Sequence, residues 1–141
     1  MTAHFSAAQL AVLHRAAFVS QRPWTRTEFE NLLASKHCHA LTEPNGFALI
    51  RVIADEAELL TLAVHPEHQN AGLGRSLLTR AMLTAHEYGA FEIFLEVAED
   101  NARAVRLYLS SGFAQVATRA NYYSRANSEP VDALLLSRSL P

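Results

Sequence analysis

A chain of 141 residues has room for one core of ordinary size and not for two, so a single domain over 1–141 with one site is expected. Hydrophobic residues make up 50% and charged ones 18%, yet no apolar run approaches the ~20 residues of a bilayer span, which argues against a membrane protein. Twelve Lys plus Arg against fourteen Asp plus Glu give a formal charge of -2, with no basic block to neutralise several phosphates, which argues against nucleic acid as a partner.

The N-terminal stretch "MTAHFSAAQLAVLHRAAF" lacks the basic start and unbroken apolar run of a secretory signal. Instead Leu10, Leu13, Ala17 and Phe18 recur with helical rhythm, and the helix is expected to stop near "SQRPW". A second helix opens at "TRTE", where Thr25 caps and Glu28, three residues later, completes a capping box; Phe29, Leu32 and Leu33 form its apolar side. The period then changes to that of strands in "HCHALT", "GFALIRVIA" and "AELLTLAV", separated by turns at "EPNG" and "DE", so a three-stranded antiparallel meander is expected. The first of these strands carries Cys38, the only cysteine, so no intramolecular disulfide is possible and the cytosol is the expected compartment. Seven histidines raise the question of a metal, but His37 and His39 alternate on that strand and His65 and His68 lie in a loop beside Pro66; no metal is expected.

From Gly74 onward Leu77, Leu78, Ala81 and Ala85 recur at three- and four-residue steps, predicting a helix that ends near Gly89. "FEIFLEV" returns to strand period, with Ile93, Leu95 and Val97 on one face and Glu92, Phe94 and Glu96 on the other. "DNARAVRLYLSSGF" reads as a short helix capped by Asp100 or Asn101, with Ala104, Val105, Tyr108 and Leu109 as its buried stripe and Gly112 as its stop. Two strands, "FAQVATRANYY" and "VDALLLSRSL", close the chain around a polar loop. The order α-α-β-β-β-α-β-α-β-β defines an α/β or α+β domain with a mixed sheet and two crossover helices.

One stretch exceeds what a turn requires. In "VHPEHQNAGLGRSLL", Gly72 and Gly74 stand where a helix begins, leaving its first N–H groups unshielded at the positive end of the helix dipole, a place suited to a phosphate. Tight packing would account for two glycines equally well. No "GK[ST]" follows, so this is not a P-loop, and the Rossmann pattern fails because several strands precede the turn.

The succession "LLTLAVHPEHQNAGLGRSLL", "FLEV", "NARAVRLYLSSGF" and "NYY" over residues 59–123 resembles the GNAT superfamily of acetyl-CoA-dependent N-acetyltransferases, whose sheet is mixed, mostly antiparallel, with helices on both faces. Within it, "PW" at Pro23 and Trp24, Glu96, Asn101, Tyr108 and "NYY" at Asn121 to Tyr123 are similar to the RimI type, which acetylates the N-terminal alanine of a ribosomal protein. The resemblance implies acetyl-CoA as donor and a protein or peptide N-terminus as acceptor. By it, the turn formed by Gln69, Asn70, Ala71, Gly72, Leu73, Gly74 and Arg75 cradles the pyrophosphate of coenzyme A, while the backbone of Leu62, Ala63 and Val64 runs beside the pantetheine arm. Asn70 stands where a basic residue is common in that turn, which leaves Arg75 as its cation, and the family's usual first strand is nearly absent before the first helix.

The same resemblance implies Glu96 as the base for the amine and Tyr108 as the acid for the departing thiolate. By pattern alone Glu96 is equally a half-solvated strand residue or the partner of an arginine, and Tyr108 an ordinary core tyrosine. An α-amino group, with pKa ~8 against ~10.4 for lysine, asks less of such a base. Asn101 either caps its helix, contacts the cofactor, or does both. Trp24, Tyr122 and Tyr123 would wall the acceptor, though aromatic residues at a loop edge also simply cover a core. A small amine as acceptor, or an acyl-CoA-binding module without catalysis, remain the alternatives.

Overall fold

A computed structural model describes residues 5–18 and 22–141. Ser20 and Gln21, in the segment expected to end the first helix, lie outside those residues, as do residues 1–4. The elements are α1 (Ala7–Ala17), α2 (Arg26–Ala34), β1 (Cys38–Glu43), β2 (Gly46–Ile53), β3 (Glu56–Val64), a 3-10 turn (Pro66–His68), α3 (Leu73–Glu87), β4 (Glu92–Ala98), α4 (Ala102–Ser110), β5 (Ala114–Tyr123) and β6 (Val131–Ser139). This is the order expected from the sequence.

Both N-terminal helices start with reciprocal capping boxes. Thr25 and Glu28 form the one expected, and Ser6 and Gln9 form a second at the start of α1. The strands make one six-stranded sheet, β1-β2-β3-β4-β6-β5. Every neighbouring pair is antiparallel except β3 and β4. Because β6 inserts between β4 and β5, these two run parallel, and α4 crosses over between them as α3 does between β3 and β4.

Each face of the sheet is covered over its middle, while β5 at the edge is exposed along nearly its whole length. Leu77, Leu78, Ala81 and Ala85 of α3, all fully buried, pack with Ala48, Ile50, Ile93 and Leu136. On the other face Leu10 and Leu13 of α1 and Phe29 of α2 meet Phe47, Leu49 and Ala63. Two residues expected on buried stripes are exposed: Leu33 at 37% and Leu109 at 49%. In α4 the contact with the sheet runs through Ala104, Val105, Leu107 and Tyr108, and Leu109, 100° further round the helix than Tyr108, turns past it into solvent. In α2 the packing row runs through Phe29 and Leu32, which leaves Leu33 beside it at the rim. His37 lies in the turn before β1 rather than on the strand.

Two irregularities shape the middle of the sheet. The ladder between β3 and β4 holds only from Glu56↔Glu92 to Glu58↔Phe94. Directly beyond it, β2 pairs Leu49 with Thr61 and Ile50 with Leu59, so Leu60 bulges out of β3. A bulge bends its strand and reverses the alternation of faces. Ala57 and Leu59 accordingly face the α3 side before the bulge, whereas after it Ala63 faces α1 and α2 while Leu62 and Val64 turn back to the α3 side. β3 and β4 therefore splay apart, and the backbone of β3 past Glu58 has no strand partner on the β4 side.

Candidate active site

Two grooves open where the strands part. The first, about 640 Å³, is lined by Leu62 and Val64 of β3, Gln69, Asn70, Gly72, Gly74 and Arg75 of the glycine turn, and Asn101, Arg103, Ala104, Arg106, Leu107 and Tyr108 of α4. The second, about 490 Å³, is lined by His14 and Phe18 of the α1 segment, Trp24, residues 58–62 of β3, Leu95 to Ala98 of β4, and Arg119, Tyr122 and Tyr123 of β5. Phe18, Leu62, Asn101, Ala104 and Tyr108 line both, so the grooves meet beside Tyr108.

In the first groove, Gly72 caps α3 with φ +85° and no side-chain hydrogen bond, which leaves the first N–H groups of the helix without a side-chain acceptor. A Cβ at Gly72 would meet nothing within 4 Å, so the glycine serves its left-handed backbone and the open approach. Gly74 differs, for its Cβ would meet Leu107 Cδ2 of α4 at 3.4 Å, at the near edge of ordinary contact. Gln69 Nε2 donates to the Val64 carbonyl at 3.1 Å and ties the turn to β3. Arg75 donates to Ser110 Oγ at 2.9 Å and Ser111 Oγ at 3.3 Å, which binds it to the end of α4. Beside Arg75 on this groove stand Arg103 and Arg106, a pair with no carboxylate partner among the described residues. Sequence reading missed this pair; the signal was the three-residue spacing on the helix after "FLEV". Ala71 and Leu73 complete the turn without lining the groove, and Ala63 offers it backbone alone because its side chain belongs to the opposite core.

Asn101 caps α4, its side chain accepting from the Ala104 N–H at 3.3 Å, and lines both grooves as well. Tyr108 is 7% exposed, with its ring 5.8 Å from that of Phe113. No hydrogen bond holds its hydroxyl among the described residues, and no buried polar side-chain atom is without a partner, so the hydroxyl reaches open groove space. Burial pushes its pKa well above the ordinary phenol value, keeping the proton on the oxygen.

Glu96 projects from β4 on the half-buried face, as alternation predicts, into the second groove. Its Oε1 lies 3.0 Å from Arg119 Nη2, so the arginine pairing open at the sequence level is present. Arg119 also stands over the Tyr122 ring, 5.2 Å from its centroid. The register of β5 against β6 breaks between Arg119 and Tyr123, at Asn121 with φ +55°, and this irregularity accompanies the placement of Arg119, Tyr122 and Tyr123 along the groove. Desolvation and then the Glu96 charge raise the Tyr123 pKa. Trp24 lines the same groove, its backbone N–H donating to His14 Nδ1 at 3.1 Å.

His65, Glu67 and His68 bring possible metal-ligand atoms within 4.8 Å of one another. His65 Nδ1 accepts the Glu67 N–H, however, so a neutral ring carries its proton on Nε2 and neither nitrogen is free to ligate without breaking this local cap. Cys38, on the β1 edge strand, lines neither groove. Among the described residues no helix is long and apolar enough to cross a membrane.

The family model for the GNAT acetyltransferases matches residues 7–113, and the chain belongs to that family. It is 34% identical over 119 residues to the ribosomal protein bS18-alanine N-acetyltransferase of Escherichia coli, covering 82% of this chain and 80% of that one. It is 36% identical over 126 residues to the N-alpha-acetyltransferase RimI of Mycobacterium tuberculosis, covering 83% and 78%. A crystal structure of the ribosomal-protein-alanine N-acetyltransferase from Escherichia coli superposes with a TM-score of 0.85 at 29% identity, over 99% of this chain and 92% of that one.

Proposed function

We propose that this acetyltransferase moves the acetyl group of acetyl-CoA to the α-amine of a protein N-terminus, an alanine by preference, with a ribosomal protein such as bS18 as the natural acceptor. The observation that carries the assignment of roles is the sharing of Tyr108 by both grooves, with Glu96 on the second alone. Donor and acceptor can then enter from different sides and meet at one point, which is what a direct transfer needs. Acetyl-CoA supplies an acyl group already activated as a thioester.

The first groove suits the donor. Its unpaired β3 edge can pair with an amide-bearing arm, and the α3 N-terminus, aided by Arg103 and Arg106, suits a pyrophosphate. Leu62, Ala63 and Val64 offer backbone, the turn from Gln69 to Arg75 offers shape and N–H groups, and Asn101 holds the start of α4 against the shared space. In the second groove Glu96 receives a proton from the incoming ammonium, which first takes the place of the Arg119 guanidinium at the carboxylate. The neutral amine attacks the carbonyl carbon, Tyr108 gives its proton to the sulfur as the carbon–sulfur bond breaks, and the second proton of the amine passes to the Tyr108 oxygen, while Glu96 releases its own to solvent. Trp24, Tyr122 and Tyr123 wall the acceptor. The position of Cys38, away from both grooves, favours this direct route over an acyl-cysteine intermediate.

Coenzyme A release by the purified chain, with free Ala-, Ser- and Met-starting peptides offered beside acetyl-blocked peptides and a set of small amines, tests the reading. Turnover confined to free peptides, with alanine foremost, is expected. Turnover on small amines alone would overturn it.

A further inference from the structure

His14 has no part in the roles above, and its surroundings are unusual for a histidine. It is 4% exposed, stacked 5.2 Å from the ring of Trp24, 4.4 Å from that of Phe18 and edge-on to Phe29 at 5.6 Å, and it lines the acceptor groove. Its Nδ1 accepts the backbone N–H of Trp24, so Nδ1 carries no proton, and the neutral ring must carry its proton on Nε2. Burial drives its pKa down to about 4, against the opposing pull of Glu28, so the ring is neutral at physiological pH. Nε2 has no partner among the described residues, yet no buried polar side-chain atom there is unsatisfied. The Nε2–H therefore keeps accessible surface, on a residue that lines the groove.

We infer that this Nε2–H is a recognition element, donating a hydrogen bond to the carbonyl oxygen of the acceptor's first peptide bond and so favouring a peptide over an amine that lacks that carbonyl. The inference rests on the peptide-acceptor reading. An acceptor filling the groove strips the water from Nε2–H, and a buried donor left unpaired is costly, so the ligand must bring an acceptor atom. With its amine committed to Glu96 and Tyr108, the next such atom along a peptide is the first carbonyl oxygen. The donor is held in advance, because three aromatic rings and the Trp24 N–H fix the imidazole. A site built around a fixed donor rejects analogues that lack the acceptor more strongly than an apolar wall rejects a change of size.

The test compares kcat/KM for an alanyl peptide and for its isostere with an (E)-alkene in place of the first amide, using wild type, His14→Phe and His14→Asn. Any change in amine basicity is common to all three proteins and cancels. Wild type should prefer the amide by about tenfold or more, and both variants should reduce that preference to about twofold. Asn places an oxygen near the Nδ1 position and can keep the Trp24 contact while lacking the Nε2–H. A His14→Asn protein that keeps the full preference would overturn the inference, as would an equal loss on both acceptors in His14→Phe, which would mark the ring as a prop for Trp24. Should His14→Phe fail to fold, the His14→Asn comparison decides, together with the wild-type imidazole N–H resonance, which must shift on adding the amide peptide and not the alkene. Wild type turning over simple amines but no peptide at all would instead overturn the underlying assignment of the acceptor.

Discussion

Replacing His14 by Phe should change how stability depends on pH, in a direction and by an amount the structure sets. The folded ring takes up its proton near pH 4, chiefly because burial penalises the charge, while an unfolded one does so near 6.5. Above 6.5 both states are neutral and the residue adds no pH dependence. As the pH falls below 6.5 the unfolded chain binds a proton that the folded chain refuses, so stability drops by up to 1.36 kcal/mol for each pH unit until the folded ring protonates too. The loss from this residue is about 1.4 kcal/mol by pH 5.5 and about 2.5 kcal/mol by pH 4.5. His39, whose pKa burial also lowers, contributes in the same window and with the same sign, so the comparison must be between proteins. Glu28, held near 2 by Arg22, keeps its charge in the folded state throughout. Urea unfolding of wild type and His14→Phe at pH 7.5, 6.5, 5.5 and 4.5 gives the difference directly. The variant carries a constant offset for the lost Trp24 contact, and the gap between the two proteins should shift in favour of the variant by about 2 kcal/mol or more on going from pH 7.5 to 4.5. Parallel curves would refute the buried, neutral histidine and with it the fixed tautomer.

Other outcomes follow from the same geometry. Tyr108→Phe keeps the buried ring and its packing against Phe113, so unfolding free energy should stay within about 1 kcal/mol while kcat falls on the order of 10²- to 10⁴-fold, read by steady-state kinetics beside denaturation. The double change Arg103→Ala and Arg106→Ala should weaken acetyl-CoA binding by calorimetry about tenfold at low ionic strength, with the deficit shrinking as salt rises and the KM for peptide little affected. Gly72→Ala forces a side chain into φ +85° and should cost about 1–2 kcal/mol in a denaturant titration although no atom clashes.

Much of the fold was legible because local chemistry and tertiary packing agree. The Thr25–Glu28 capping box, the Leu77, Leu78, Ala81 and Ala85 stripe and the alternation along β4 each follow from one period and one buried face. The candidate site residues came as a set from the family resemblance, and Glu96, Tyr108, Trp24, Tyr122 and Tyr123 line one groove. What escaped depends on where distant segments meet. The Leu60 bulge leaves no mark in the alternation of "AELLTLAV", since Leu59 and Leu60 are adjacent and alike, and either could be the one left unpaired. The insertion of β6 between β4 and β5 is a pairing choice no single segment encodes. Arg119 meets Glu96 only because β5 and β6 slip out of register, and His14 is buried only because the start of α2 folds back over it with Trp24 and Phe29. A lone histidine on a helix carries no sequence signal of that kind.

The site to which the acetyl group goes tests the central claim most directly. A peptide carrying both a free N-terminal alanine and an internal lysine, incubated with acetyl-CoA and analysed by fragment mass spectrometry, reports which amine meets Glu96 and Tyr108. The account predicts acetylation of the α-amine with the lysine unmodified, and loss of that product when Glu96→Gln replaces wild type. Acetyl on the lysine, or α-amine acetylation that persists undiminished in Glu96→Gln, would contradict it.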